Sequence, residues 1–434
     1  MRTLVFVLLG ILCGCATAGE QPQPTLAPTI SITVPAEGAW QARYAFPGTA
    51  RQLLFRRSTD TSRIESWTVA PDFEIVETPQ GEAVRRRDGA AFSTVSVEIP
   101  PVYRPLPSDY APFSPFGDGG ILFHSGRLLA CLDSCGDELG WLIQLDAGRT
   151  PILINGVTRD GRAEWLDSDS GRMVYVGASR PVESADLIAV IDGSLPERIR
   201  GQLVGQLPAF MRLFSERLGA LPEKPMLFAS YDVASPGGRY GRQGGTLPGQ
   251  VFTHFYGSVW PERMRDPALA DELAWFFAHE AAHLYQRQLF ADGGDAWIHE
   301  GGADAMAALA LRSVGGTTAA NAERRIISMR SDCVKHRAGR SIRSAIEGGA
   351  FDAAYACGLL VNLQIDSAVR AIAPGSDGLF SVWRHYLDSA ARGEKAGEVA
   401  FLAAISAVAG ADLAKAVHQA VRSETWPETN GSFR

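Results

Sequence analysis

Residues 277–304 read FAHEAAHLYQRQLFADGGDAWIHEGGAD, and this stretch constrains the chain more than any other. It opens on His279-Glu280-Ala-Ala-His283. Residues four apart share one face of an α-helix, so both imidazoles point the same way, and Glu280 lies three positions before His283. A zinc ion takes neutral imidazoles and keeps an open position for water, and a nearby carboxylate can take that water's proton. The pattern predicts one zinc on His279 and His283, Glu280 as general base, and hydrolysis as the reaction. A third ligand is within reach. Sixteen residues lie between His283 and Glu300, room for a loop and a turn into an antiparallel second helix on which Glu300 faces the histidines. His299 is adjacent but points about 100° away on that helix, which marks it as structural or supporting. Asp304, four residues past Glu300, can accept the other N–H of His279 and fix its tautomer. The alternative is a solvated acid on the helix surface.

The chain has 434 residues, which predicts two or three domains. Its net charge is −7 with no long run of one sign, which argues against a nucleic-acid partner. Arg2 precedes an apolar run, Leu4–Leu12, too short to span a bilayer comfortably and shaped like a secretory signal. Leu12-Cys13-Gly14-Cys15 resembles a bacterial lipobox, which implies a lipid on Cys15 as a membrane anchor; Cys13 is unusual at its place. Ala16 and Thr17 then favour the periplasmic face of the outer membrane. The alternative is a plain cleaved signal. An exported protein sits where disulfides persist. Beyond the signal four cysteines remain, and the local pairing among the three possible is Cys131–Cys135 with Cys333–Cys357.

The expected organisation is a signal peptide (1–15), a Pro-rich tether (16–29), an all-β domain (30–195), a catalytic α/β domain (196–315) and a helical region (316–434). Short alternating or β-branched runs such as Ile30–Val34, Phe92–Ile99, Pro151–Ile154 and Arg172–Val176 predict a β-sandwich. His124 in that domain reads as structural. Apolar positions from Ile199 to Leu218 predict a helix that Pro208 breaks or kinks. Asp266 and Pro267 suit the N-cap and first position of the His279 helix, and Asp295 the cap of the next one. Helices are expected near 318–337, 351–373, 379–392 and 396–422.

The paired elements His279-Glu-x-x-His283 and Trp297-x-x-Glu300-Gly-x-Ala303 resemble the gluzincin metallopeptidases, closest to the membrane alanyl and glycyl aminopeptidase branches. Phe351-Asp-Ala-x-Tyr355-x-x-Gly358 is similar to an element whose tyrosine stabilises the transition state, which implies that role for Tyr355; from spacing alone Tyr355 is a helix-start aromatic in a core. Asp304, at four past the third ligand, is more like thermolysin. The resemblance covers roughly residues 196–373. The longer metzincin motif is excluded, because Gln286 and Leu289 stand where it needs Gly and His. The implied fold is α+β and multidomain: a β-sandwich-like domain, a thermolysin-like zinc metallopeptidase domain and a helical C-terminal part. The implied substrate is a peptide or protein. The stretch Gly244-Gly245-Thr246-Leu247-Pro248 matches the strand that binds substrate in the alanyl branch, but Leu247 stands where that branch has the glutamate for a free α-amine. Exo- and endopeptidase action are both open. A contrasting reading is a lipid-anchored binding or scaffold protein on a degenerate peptidase fold; an esterase using the same zinc water is a third.

Overall fold

The computed structural model describes residues 27–425 apart from 58–59, 107–108, 137–139, 169, 235–239, 288 and 290–292. The expected signal segment, Cys15 and residues 16–26 of the tether lie outside the described residues. Among the described residues no helix is long and apolar enough to cross a membrane.

The N-terminal part is β-rich, with a nine-stranded and a four-stranded sheet. Trp40–Ala50 shows why such segments make strands: buried and exposed residues alternate over most of its length, as a strand with one covered face requires. Trp40, Tyr44, Phe55, Val97 and Trp141 fill the core of this part. His124 is 1 % exposed, with Nε2 2.7 Å from the Ser170 carbonyl oxygen, a structural position.

A third, five-stranded sheet follows, in the order Val182–Glu183, Ile188–Ile191, Met226–Asp232, Gln250–Tyr256, Gly241–Leu247. The three middle strands run parallel. Parallel neighbours need a crossover, and the helix Glu197–Leu218 supplies it between the second and third strands. This corrects the boundary at 195/196: Ile188–Ile191 lies before it yet belongs to the sheet of the catalytic part. Pro208 lies inside that helix, which continues through it. Gly241–Leu247 turns back antiparallel to Gln250–Tyr256 and forms the edge. Met226, Phe228, Leu247 and Phe252 pack against Phe116, Leu122 and Tyr175 of the β-rich part. The Gln250 side chain completes the seam, accepting from Met173 N at 2.7 Å and donating to Met173 O at 2.9 Å.

The helix carrying His279 and His283 spans Pro267–Tyr285, and the Asp266 carboxylate accepts from Ala268 N at 2.9 Å, capping it. Asp295 does not cap the next helix, His299–Val314. Its carboxylate instead binds Arg343 and accepts from Glu398 N at 3.1 Å. The chain then forms Gly316–Arg337, Ile342–Glu347, Asp352–Ile372, Leu379–Ala391, Glu398–Ala409 and Ala411–Arg422. The helix expected over 396–422 is thus two, divided at Gly410 (φ +91°), a backbone angle that ends a helix. One hydrophobic core runs from Leu187 to Val421, so no separate core marks the 315/316 boundary. Disulfides join Cys131 to Cys135 and Cys333 to Cys357.

Two glycines set how closely His299–Val314 crosses Asp352–Ile372. A Cβ on Gly358 would lie 2.9 Å from Gly301 Cα and 2.8 Å from the Trp297 carbonyl oxygen, and one on Gly301 would strike the Gly358 backbone. Gly301→Ala must push the helices apart, with an expected loss of about 1–3 kcal/mol in denaturant unfolding; unchanged stability would show that the crossing is not tight.

Candidate active site

The helices Pro267–Tyr285 and His299–Val314 pack side by side and bring His279, His283 and Glu300 together. One ligand atom from each lies within 4.8 Å of the others. The two Nε2 atoms are 2.9 Å apart. Glu300 Oε2 lies 3.4 Å from His279 Nε2 and 3.3 Å from His283 Nε2, and is buried with no hydrogen-bond partner.

The outer nitrogens decide what the inner ones can be. His279 Nδ1 is 2.9 Å from Asp304 Oδ1. An ionised carboxylate only accepts, so Nδ1 carries the proton and Nε2 presents a lone pair. Asp304 Oδ1 also accepts from Trp275 Nε1 at 2.6 Å, which holds the carboxylate in place. His283 Nδ1 donates to Gln286 Oε1 at 2.7 Å, and Gln286 Nε2 donates to the His299 carbonyl oxygen at 2.9 Å. The second bond fixes which way the amide points, so His283 too presents a lone pair. Two imidazole lone pairs and a carboxylate oxygen therefore converge with no donor among them. A proton or a cation must hold such a cluster together, and the donor set, two nitrogens and one oxygen, suits zinc.

The electrostatics say the same. Burial lowers the pKa of His279, but Asp304, then Glu300 and Glu280, outweigh it and lift it well above the usual histidine range. Burial raises the pKa of Glu300, and His283, His279 and His299 outweigh that and hold it well below the usual carboxylate range. Raised on His279 and lowered on Glu300, the two shifts mean that the cluster draws a positive charge, a proton or a cation, between its nitrogens and its carboxylate. Glu280 is 7 % exposed, and burial pushes its carboxyl above the usual range against the pull of His279 and His283. Such a shift brings a carboxylate closer to the pKa of an effective general base.

Tyr355, on Asp352–Ile372, stands with its ring 5.9 Å from that of His279. Burial, then the charges of Glu300, Glu280 and Asp304, raise its pKa, so the phenol stays a donor at neutral pH. His299 lies beside the cluster, Nε2 3.4 Å from Glu300 Oε1.

The edge-strand residues divide by face. A Cβ on Gly244 would sit 2.5 Å from the Phe276 ring, on the side of the His279 helix, whereas one on Gly245 would strike Tyr110 of the β-rich part. The Thr246 carbonyl accepts from Tyr110 Oη at 3.3 Å. Leu247 is 3 % exposed and sits in the seam with Phe116 and Phe252. Leu247, expected on the substrate-binding strand, can offer a substrate only its backbone, because alternation along the strand sends its side chain into the core, on the face of Gly245.

Sequence reasoning missed four residues. Gln286 counted only as a departure from another motif, although a position three past His283 on a helix is a natural partner for it. Trp275 lies four before His279 and was open to the same argument. Tyr110 and Arg242 reach the site from remote segments, and nothing in their local sequence marks them. Asp304→Ala and Gln286→Ala should each lower zinc affinity about 10- to 100-fold, read by competition with a chelator; unchanged affinity would show that neither orients its imidazole.

No family model matches the chain, and no curated protein matches it by sequence. Solved structures do. An M1 zinc metallopeptidase from Deinococcus radiodurans is similar over 94% of this chain and 95% of that one, at 17% identity and a TM-score of 0.51. A mutant of the Deinococcus enzyme, with a Tyr-Ser-Ala substrate bound, aligns over 93% and 95%, at 15% identity and a TM-score of 0.54. An aminopeptidase N family protein from Idiomarina loihiensis aligns over 92% of this chain and 76% of its own, at 10% identity and a TM-score of 0.69. At such identities the likeness is one of fold: the chain has the multidomain α+β architecture of the M1 zinc metallopeptidases, a β-rich N-terminal domain followed by a zinc-peptidase fold with a helical C-terminal part.

Proposed function

We propose that this protein is a zinc-dependent peptidase. The observation that carries the proposal is the convergence of two imidazole lone pairs and a buried carboxylate oxygen beside Glu280. His279, His283 and Glu300 would hold the metal. When bound, zinc polarises a carbonyl and lowers the pKa of water. The Deinococcus protein with a bound tripeptide supports a peptide as the substrate class.

The remaining chemistry falls to the chain itself. Glu280 takes the proton of the attacking water and passes it to the leaving amine. Tyr355 donates a hydrogen bond to the oxygen that gains charge as the carbonyl is attacked. Asp304 and Gln286 keep the two imidazoles oriented. The Gly241–Leu247 edge offers its backbone to an extended peptide, and glycine at 244 lets the strand pack closely on Phe276 of the His279 helix.

A strict aminopeptidase needs a carboxylate for the substrate's ammonium. Leu247 is buried in the seam. Asp109, in the segment that packs on the edge strand, is held between Arg57 and Arg127, the latter at 2.7 Å. We therefore favour cleavage that does not depend on a free N-terminus. Peptides with free and acetylated N-termini should be cleaved at comparable rates. Glu280→Gln should keep its zinc and lose about 10²- to 10⁴-fold in kcat. Undiminished turnover by that variant would sink the mechanism, and a zinc-loaded protein inert toward every peptide would favour the scaffold reading.

The apolar run after Arg2 and the Leu12–Cys15 lipobox support export and a lipid anchor at the periplasmic face of the outer membrane. Cys15→Ser should abolish incorporation of labelled palmitate and release the protein from the membrane fraction. Retained label would rule out Cys15 as the lipidated residue.

A further inference from the structure

Arg242 lies two residues before Gly244 on the edge strand, so both side-chain positions share one face. That face is turned to the His279 helix. The Arg242 guanidinium carbon stands 4.8 Å from the centre of the Phe276 ring, the same ring a Cβ on Gly244 would meet at 2.5 Å. Phe276 precedes Glu280 by one turn on Pro267–Tyr285. Arg242 is therefore held beside the His279 helix about one helical turn from the general base, close enough for its charge to act on Glu280.

The guanidinium is held but not satisfied. Nη1 donates to Glu272 Oε1 at 3.1 Å in a pair whose side chains are 24% and 44% exposed. Exposed pairs of this kind contribute little. Among the described residues Nε and Nη2 donate to nothing. A guanidinium is a rigid fork of five donors that matches a carboxylate in two-point geometry, and packing over an aromatic face fixes its plane. Leu247 and Asp109 supply no anion in its place, the one being buried in the seam and the other already paired. The wall beside Glu280 thus presents a positive, partly unused fork where an extended peptide would lie.

Building on the peptidase reading, we propose that Arg242 is a specificity-determining residue that selects peptides carrying a carboxylate close to the bond cleaved. The carboxylate is an Asp or Glu side chain or the peptide's own C-terminus.

Two matched peptide sets test this. One has blocked ends and carries Asp, Asn or Lys at each position flanking the cleaved bond. The other is neutral and ends in a free carboxylate or an amide. The expected result is a kcat/KM about 10- to 100-fold higher for a carboxylate than for its amide counterpart at one position. The first set responding assigns a side chain, the second the chain terminus. Arg242→Ala should bring that ratio near one, and Arg242→Glu should turn the preference toward Lys. Zinc content equal to the parent's shows that the site survived each change. The same ratios measured as affinities for zinc-loaded Glu280→Gln, by calorimetry, need no turnover. Equal handling of carboxylate and amide peptides by the parent, or a preference that Arg242→Ala leaves unchanged, overturns the proposal and leaves the peptidase reading standing. Absence of cleavage overturns the peptidase reading instead, and the calorimetric ratios still decide for or against Arg242.

Discussion

Glu300 carries a carboxylate into the protein interior, where one oxygen meets no hydrogen-bond donor and faces two imidazole nitrogens. An uncompensated buried charge costs several kcal/mol, so this group dictates much of what surrounds it. The two imidazoles must be close, must turn their lone pairs inward, and must be kept from rotating. Asp304 and Gln286 meet the last two demands from the outer nitrogens, and Trp275 holds Asp304 in turn. The result is a site whose orienting hydrogen bonds lie outside the cluster, so nothing inside it competes for the lone pairs.

Packing gives this electrostatic arrangement its precision. Glu300 is followed at once by Gly301, where the helix comes nearest to Gly358 on the helix that bears Tyr355. Asn362, one turn further along, donates to the Trp297 carbonyl at 3.2 Å and the Gly358 carbonyl at 2.9 Å. The Cys333–Cys357 bridge ties the Tyr355 helix to Gly316–Arg337 from its other side. Arg343, bound to both Asp295 and the buried Glu398, links the approach to the Glu300 helix with the C-terminal helices. These contacts join Glu300, Tyr355 and the helical region to one continuous core that runs from Leu187 to Val421.

What could be read from the sequence was local or periodic. His279, Glu280 and His283 sit within five residues, and helical spacing alone puts the imidazoles together. Glu300 and Asp304 repeat that spacing after a loop of bounded length. The Asp266 cap and the Cys131–Cys135 disulfide depend on neighbours in the chain, and Cys333–Cys357 is the pair that then remains. Arg242 and Tyr110 depend on a strand turning back to form an edge and on a loop of another domain packing against it, neither of which leaves a local pattern. The same cause misplaced the domain boundary: Ile188–Ile191 reads as one more short strand, and only its parallel partner Met226–Asp232 shows which sheet it joins. Leu247 is legible as a strand residue without a charge, but the face it takes is not. Its burial reflects what lies across the seam, which the strand's own residues do not record.

The β-rich domain shapes the site as well as supporting it. Tyr110 reaches across to the edge strand, and Arg57 and Arg127 neutralise Asp109 there. The wall that a free amine would need is thus aromatic, with the Asp109 carboxylate already held by two guanidiniums, and Arg242 adds a further positive charge. Specificity in this protein would then follow from the seam between domains, and the capacity for hydrolysis from the three helices beneath it. The central claim is that the three converging acceptors are a zinc site. X-ray absorption at the zinc edge on the purified protein tests it most directly. The account predicts one zinc per chain surrounded by nitrogen and oxygen with two imidazoles and no sulfur, one imidazole fewer in His283→Ala. A protein that binds no zinc, or binds it with sulfur ligands, would contradict it.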